Sequence, residues 1–292
     1  MKFAAFFLFI LPINLLAVES TDTLLLIESG TLAARLQEPG LVIVDARASK
    51  AYALGHIDGA INIPVDSTFD SNSRTGLLAP VSSIQKLFSE AGIENDHRLV
   101  IYDSGRLLDA ARLFWIFEVF GHQQLAILST GFLDWKNKHL PVSTETNKLP
   151  PSNYLPAIKS DRLATAFSTR LAVEDDNKTI LDARTPAEYQ GQESKAQRFG
   201  HIPNARNIPA DSLFLDNGKQ KQLRPLEELQ ALFSDVDKNS RVITYCNKGK
   251  AAALTYFVLR NLGYDVAAYD GSWVEWGNDT SLPIVEPSSP LK

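Results

Sequence analysis

The sequence predicts an α/β fold built twice along one chain. Three observations carry this. The chain has 292 residues, and at roughly 100–200 residues per domain that length suggests two domains. It repeats itself at a domain-sized interval. Within each copy, short apolar runs rich in β-branched residues alternate with stretches of helical pattern, which is the signature of strands and crossover helices around a parallel sheet.

The repeat is carried by four segments in the same order. Leu41-Val-Ile-Val-Asp45-Ala-Arg47 returns as Thr179-Ile-Leu-Asp182-Ala-Arg184. Gly55-His56-Ile57 and the Ala60-Ile-Asn62-Ile-Pro64 that follows return as Gly200-His201-Ile202 and Ala205-Arg-Asn207-Ile-Pro209. Leu99–Asp103 returns as Val242–Cys246, and Gly131-Phe-Leu-Asp-Trp135 as Ser272-Trp-Val-Glu-Trp276. The offset is about 140 residues and grows by about eight between the first two segments, which places an insertion near Gly191–Arg198. A period of that size means a duplicated domain and not a solenoid.

Leu41–Val44, Leu99–Tyr102, Thr179–Leu181 and Arg241–Tyr245 read as strands buried on both faces. Ser82–Ala91, Leu108–Phe120, Leu226–Phe233 and Ala251–Leu262 read as helices, with Gly121 and Gly263 placed to cap two of them. Pro141–Pro156 holds four prolines among Ser, Thr and Asn and reads as an interdomain linker. The expected division is a leader over 1–20, a first domain over 21–143, a linker over 144–160 and a second domain over 161–286. The Pro- and Ser-rich tail after Glu286 is expected to be loose.

Composition excludes several function classes. The chain has 34 acidic against 29 basic Lys and Arg side chains, with no long basic run, so nucleic acid is not an expected partner. A hydrophobic share of 45% is ordinary for a packed globular protein. The start of the chain differs: Met1-Lys2 is followed by a nearly unbroken apolar run from Phe3 to Ala17, interrupted by Pro12 and Asn14. That run is shorter than the ~20 residues of a membrane-spanning helix. It reads as a secretory signal peptide cut near Ala17 or Ser20; the alternative is an uncleaved anchor. Neither the cut region nor any other segment offers a lipid-attachment cysteine or a second span. The expected location is periplasmic or secreted.

The chain has one cysteine, Cys246. A lone cysteine in an exported protein is a buried bystander, an intermolecular crosslink or a reactive thiol. Its setting favours the last. The strand Arg241–Tyr245 runs straight into Cys246-Asn247-Lys248-Gly249-Lys250-Ala251, and a helix pattern begins at Ala251. Ligands of open α/β sheets bind at the carboxyl ends of strands. A thiol there faces unpaired N–H groups and the positive end of a helix dipole, with Lys248 and Lys250 adding charge. Such a setting favours the thiolate, which is the nucleophile. Gly249 would let the backbone curl so that successive N–H groups face one centre.

Taken together, Tyr-Cys-x-x-Gly after a buried strand, Asp-Ala-Arg, Gly-His-Ile-Pro-x-Ala-x-Asn-Ile-Pro and Gly-Ser-Trp-x-Glu-Trp resemble the signatures of a tandem-domain rhodanese, of the thiosulfate and 3-mercaptopyruvate sulfurtransferase family. The resemblance covers nearly all of the chain past the leader. It implies two domains, each a parallel sheet flanked by helices, and a persulfide on Cys246 formed from a small anionic donor and passed to cyanide or a thiol. It implies no metal and no organic cofactor, and a monomer. It gives the N–H groups from Asn247 through Lys248, Gly249 and Lys250 to Ala251 the task of stabilising the persulfide. Arg184 matches the family's substrate-binding arginine; pairing with Asp182 or Glu188 is the alternative. Lys248 matches a lysine of thiosulfate-type members and favours that donor over mercaptopyruvate. Lys250 is a further candidate for substrate, or else a solvated surface lysine. The first copy has Asp103 at the cysteine position, so it is expected to be catalytically silent. His56 and His201 recur in both copies and are read as structural, as are Asp45 and Asp182, while Trp273 and Trp276 are expected under the active loop.

The sequence also departs from the family pattern. Ala251 stands where many tandem members have Thr or Ser, and Glu188 where they often have Arg. Lys195 or Arg198 in the insertion is a candidate replacement cation. Two rivals come from other classes. A Cys-x5-Arg phosphatase needs an arginine six positions after the cysteine, where this chain has Ala252. A non-enzymatic sulfur carrier would use the same Cys246 and hand its sulfur to a protein.

Overall fold

A computed structural model describes residues 25–73, 76–215 and 221–286. The expected signal peptide and the tail past Glu286 lie outside the described residues. In the first half the strands are β1 (Leu26–Ile27), β2 (Leu41–Asp45), β3 (His56–Ile57), β4 (Ile61–Asn62), β5 (Arg98–Tyr102), β6 (Leu125–Leu128) and β7 (Val142–Ser143). The second half supplies β8 (Leu163–Ala164), β9 (Lys178–Asp182), β10 (Ala205–Asn207), β11 (Arg241–Tyr245) and β12 (Val266–Tyr269). Each half builds a parallel sheet, in the orders β1-β6-β5-β2-β4 and β10-β9-β11-β12-β8. Read from opposite ends the two orders are the same, so the sequence repeat is a repeat of topology. A small antiparallel pair, β3 with β7, stands beside the first sheet.

The helices of the first half are α1 (Ser29–Ala33), α2 (Ser49–Ala53), α3 (Val81–Glu90), α4 (Leu108–Val119) and α5 (Gly131–Asn137). Those of the second are α6 (Ala166–Ala172), α7 (Pro186–Tyr189), α8 (Leu226–Leu232), α9 (Lys250–Asn261) and α10 (Ser272–Trp276). The α/β architecture expected from the alternation is present in both halves. Gly121 and Gly263 do end α4 and α9, at φ +82° and +79°. In each case the following residue donates back into the last helical turn, His122 to Phe117 and Tyr264 to Leu259.

The two halves meet through α4 and α9. Every residue of α4 from Ala110 to Phe117 is buried, and so is every residue of α9 from Ala252 to Leu259. A helix that is buried all round must be covered on both sides. Here one side faces the helix's own sheet and the other faces its counterpart in the other half. Phe114 and Phe257 meet edge to face at 5.1 Å in that seam. Polar ties flank it: Glu118 accepts from Tyr256 at 2.6 Å and pairs with Arg260 at 2.9 Å, and Trp115 Nε1 donates to the Arg162 carbonyl at 2.9 Å.

The proline-rich segment expected as a linker is fastened to the first domain along most of its length. Ser152 donates its N–H to Ser89, Ala157 to Phe120 and Lys159 to Val119. Tyr154 is fully buried against Phe88. The segment acts as a strap, because prolines favour the extended backbone while the intervening residues keep their donors for the domain surface.

The seam is therefore expected to dominate the coupling of the halves. Phe257→Ala should lower stability by about 3–5 kcal/mol, read as a drop in the urea midpoint against the parent chain.

Candidate active site

Strand β11 delivers Cys246 to the crevice at the carboxyl end of the second sheet, beside the end of β9. The thiol is buried and free of any disulfide. The backbone around it is held from α10 and the turn before it. Cys246 N–H donates to Ser272 Oγ at 3.2 Å, Trp273 N–H donates to the Cys246 carbonyl at 2.8 Å, and Val274 N–H to that of Asn247 at 3.1 Å. The expected curl is present: Gly249 is at φ +84° as the residue before α9, and its N–H donates to Cys246 Sγ at 3.1 Å. The N–H groups of Asn247, Lys248, Lys250 and Ala251 find no acceptor among the described residues. The loop thus puts one N–H on the sulfur and leaves further donors open at a helix N-terminus, a setting suited to an anion.

The first copy has the same cradle, already filled. The Asp103 carboxylate accepts from the N–H groups of Gly105, Leu107, Asp109 and Ala110 at 2.7–3.4 Å. Leu107 takes the left-handed position that Gly249 takes in the second copy, at φ +58°. Burial outweighs these donors and raises the Asp103 pKa above its ordinary value.

Two of the expected substrate cations line the space beside Cys246 and are paired with carboxylates. Arg184 turns its fork onto Asp182, at 2.6 Å for Nη2, and donates to the Gly200 carbonyl at 2.9 Å. Its side chain has no exposed surface, its Nη1 is buried without a partner, and its plane covers Trp273 at 4.4 Å. Arg47 makes the same set with Asp45, Gly55 and Phe132 in the first copy. The arrangement is present in both copies and so supports the fold, and in the second copy Arg184 also lines the cavity beside Cys246 with its Nη1 unengaged. Lys250 is paired as well. It bridges Asp109 at 2.8 Å and Asp66 at 3.2 Å, both in the first half. Burial works to lower its pKa, but the two carboxylates outweigh it and the net shift is upward.

Lys248 is exposed and lines a cavity of about 810 Å³ to which both halves contribute. Lys195 of the insertion lines it too, whereas Arg198 donates to the carbonyls of Trp276, Gly277 and Leu282 and serves the fold. Glu188, in the place of an arginine, caps α7 through Thr185 and accepts from Asn247 Nδ2 at 2.8 Å. Ala251 lies on the same wall. Sequence reasoning missed Arg106, Phe69 and Leu108, which form the first-half wall of the cavity. The signal for Arg106 was available, since it sits in the loop after Asp103 that matches the Cys246 loop.

The repeated residues are internal supports. His201 Nδ1 lies 2.8 Å from the Tyr189 carbonyl with its ring stacked on Tyr189 at 3.8 Å, and burial lowers its pKa. His56 repeats this with Tyr52. Asp182 also accepts from Tyr245 at 2.5 Å, as Asp45 does from Tyr102 at 2.7 Å. Trp273 and Trp276 are fully buried, with Nε1 atoms on Ser194 and the Pro283 carbonyl.

If the Arg184 network serves the fold, Arg184→Met and Arg47→Met should each cost about 3–5 kcal/mol by stranding a buried carboxylate. Urea unfolding of the pair checks this. A stable Arg184→Met chain with impaired anion binding would return the residue to the ligand.

Comparison with known proteins follows the same lines. A model of the rhodanese-like domain matches residues 29–138 and again 166–279. A thiosulfate sulfurtransferase of Corynebacterium glutamicum is 32% identical over 274 residues, covering 89% of each chain. A 3-mercaptopyruvate sulfurtransferase of Escherichia coli is 28% identical over 270 residues, covering 87% of this chain and 95% of its own. Among solved structures, SseA from Escherichia coli, a 3-mercaptopyruvate sulfotransferase, superposes with a TM-score of 0.78 at 27% identity, covering 86% of this chain and 99% of that one. Two matched domains in tandem, with like relatives over nearly their whole length, make this chain a member of the rhodanese family.

Proposed function

We propose that the protein is a sulfurtransferase that carries sulfane sulfur on Cys246, with thiosulfate as donor and cyanide or a thiol as acceptor. The observation that carries the reading is the Gly249 N–H on the Cys246 sulfur together with the unengaged N–H groups of the same loop, next to Lys248. The Cys246 thiolate attacks the outer sulfur of thiosulfate. The S–S bond of the donor breaks, sulfite leaves with its electron pair, and a Cys246 persulfide anion remains. The open donors of Asn247, Lys248, Lys250 and Ala251 then face the added negative sulfur, as an oxyanion hole faces oxygen. Attack by cyanide or a thiolate on the outer sulfur returns the Cys246 thiolate. The relatives named above act on either thiosulfate or 3-mercaptopyruvate, and Lys248 supports the first.

In this reading the first domain is silent, because a carboxylate cannot accept sulfane sulfur and Asp103 occupies its own cradle. The donor's sulfonate end meets Lys248 and Lys195. The chain works as a monomer, since both walls of the cavity come from one molecule, and residues 1–20 direct it to the periplasm or beyond. Among the described residues no helix is long and apolar enough to cross a membrane.

Intact-protein mass tests the reading, on protein expressed in an exporting bacterial host. The parent chain should gain one sulfur, about 32 Da, with thiosulfate and lose it to cyanide, while Cys246→Ser gains nothing. The same spectrum reads removal of the leader, and a native spectrum reads the monomer. Absence of the gain in folded protein would reject thiosulfate. Lys248→Ala should raise KM for thiosulfate about tenfold with a smaller change in kcat. If 3-mercaptopyruvate outcompetes thiosulfate in a steady-state assay, the donor assignment fails.

A further inference from the structure

Arg112 has no part in the chemistry above, yet its surroundings are unusual for an arginine. It lies on α4 with its side chain fully buried, over the Trp115 ring at 4.4 Å and near Phe69 at 5.5 Å. Nη2 donates to Asp270 Oδ1 at 2.5 Å, across the domain boundary. Nε and Nη1 are buried without a partner. Nη1 is also the atom that a Cβ on Gly249 would strike, at 2.5 Å. Removing a guanidinium from water is costly, and one ion pair seldom offsets the cost.

Both ends of this pair run into the Cys246 loop. Asp270 Oδ2 accepts the Leu78 N–H at 2.7 Å, so the first domain grips Asp270 twice. Two residues on, Ser272 receives the Cys246 N–H, and Trp273 and Val274 donate to the carbonyls of Cys246 and Asn247. On the other side the guanidinium lies against Gly249, whose N–H points at the sulfur. An arginine that served only to join the halves would have its donors filled; this one leaves Nη1 open toward the loop.

We infer that Arg112 is a positioning residue for Cys246, supplied by the first domain. It braces the Asp270–Val274 turn that holds the Cys246 backbone, and it lays a buried positive charge against the Gly249 peptide that faces the sulfur. The inference rests on the reading of Cys246 as the nucleophile. It makes the first domain a working part of the site although that domain carries no thiol.

The test compares Arg112→Gln, Arg112→Lys and Asp270→Asn in the full chain. Iodoacetamide alkylation of Cys246 is followed by intact mass at one pH, which reports that thiol alone because the chain has one cysteine. Steady-state kcat and KM with thiosulfate are measured beside it. Arg112→Gln should slow alkylation and lower kcat about tenfold at nearly unchanged KM, and Arg112→Lys should recover most of the loss by restoring the charge. Alkylation needs no sulfur donor, so it reads Arg112 even if thiosulfate fails to load the parent chain. Should Arg112→Gln not fold by circular dichroism, Asp270→Asn carries the comparison, with slowed alkylation expected. A folded Arg112→Gln or Asp270→Asn chain that alkylates at the parent rate overturns the inference, as does an Arg112→Lys chain no faster than Arg112→Gln.

Discussion

An anion held by backbone N–H groups at the start of a helix requires a chain that curls back on itself within a few residues. The rest of the second domain is arranged around that curl. It is possible at Gly249 because φ is +84° there and because no side chain is present to meet Arg112. β11 fixes where the loop begins, α9 fixes where it ends, and the Ser272–Val274 backbone holds its middle. The cation–carboxylate layer beneath, Arg184 on Asp182 with Trp273 over it, braces the sheet end at the edge of the cavity. Sulfur chemistry on a single thiol needs little else from a protein: a donor cradle, a positive wall and exclusion of bulk water.

Duplication explains which parts of the molecule are support and which are site. Features present in both copies, such as the stacked Tyr–His pairs and the Asp–Tyr hydrogen bonds, recur in a domain without a thiol and so serve the fold. Features present once are where the copies have diverged: Cys246 against Asp103, Gly249 against Leu107, and the insertion that brings Lys195 to the cavity. The seam between α4 and α9 then holds the halves so that both line the cavity beside Cys246.

Much of this was legible in the sequence, for physical reasons. Doubly buried strands such as Leu99–Tyr102 announce themselves by unbroken apolar β-branched runs, and the helix ends at Gly121 and Gly263 by the left-handed residue they need. The Cys246 loop was legible because strand, thiol, glycine and helix are contiguous. The pairing of Arg184 with Asp182 was legible only as an alternative, because the direction of its fork depends on a backbone bend over two residues that composition does not encode. Lys250 was not, because its partners Asp66 and Asp109 lie in the other half. The seam had a signal that went unused: the run from Ala110 to Phe117 has too little polar surface for a helix covered on one side.

Asp103 gives the molecule an asymmetry of occupancy. Its carboxylate is a tethered ligand that never dissociates, so the first cradle is saturated from the moment the chain folds. The second cradle is built to the same plan around a thiol. One half thus shows, in permanent form, the filled geometry that the other half would enter only while it holds an anion. The chain carries its own reference state for its active loop.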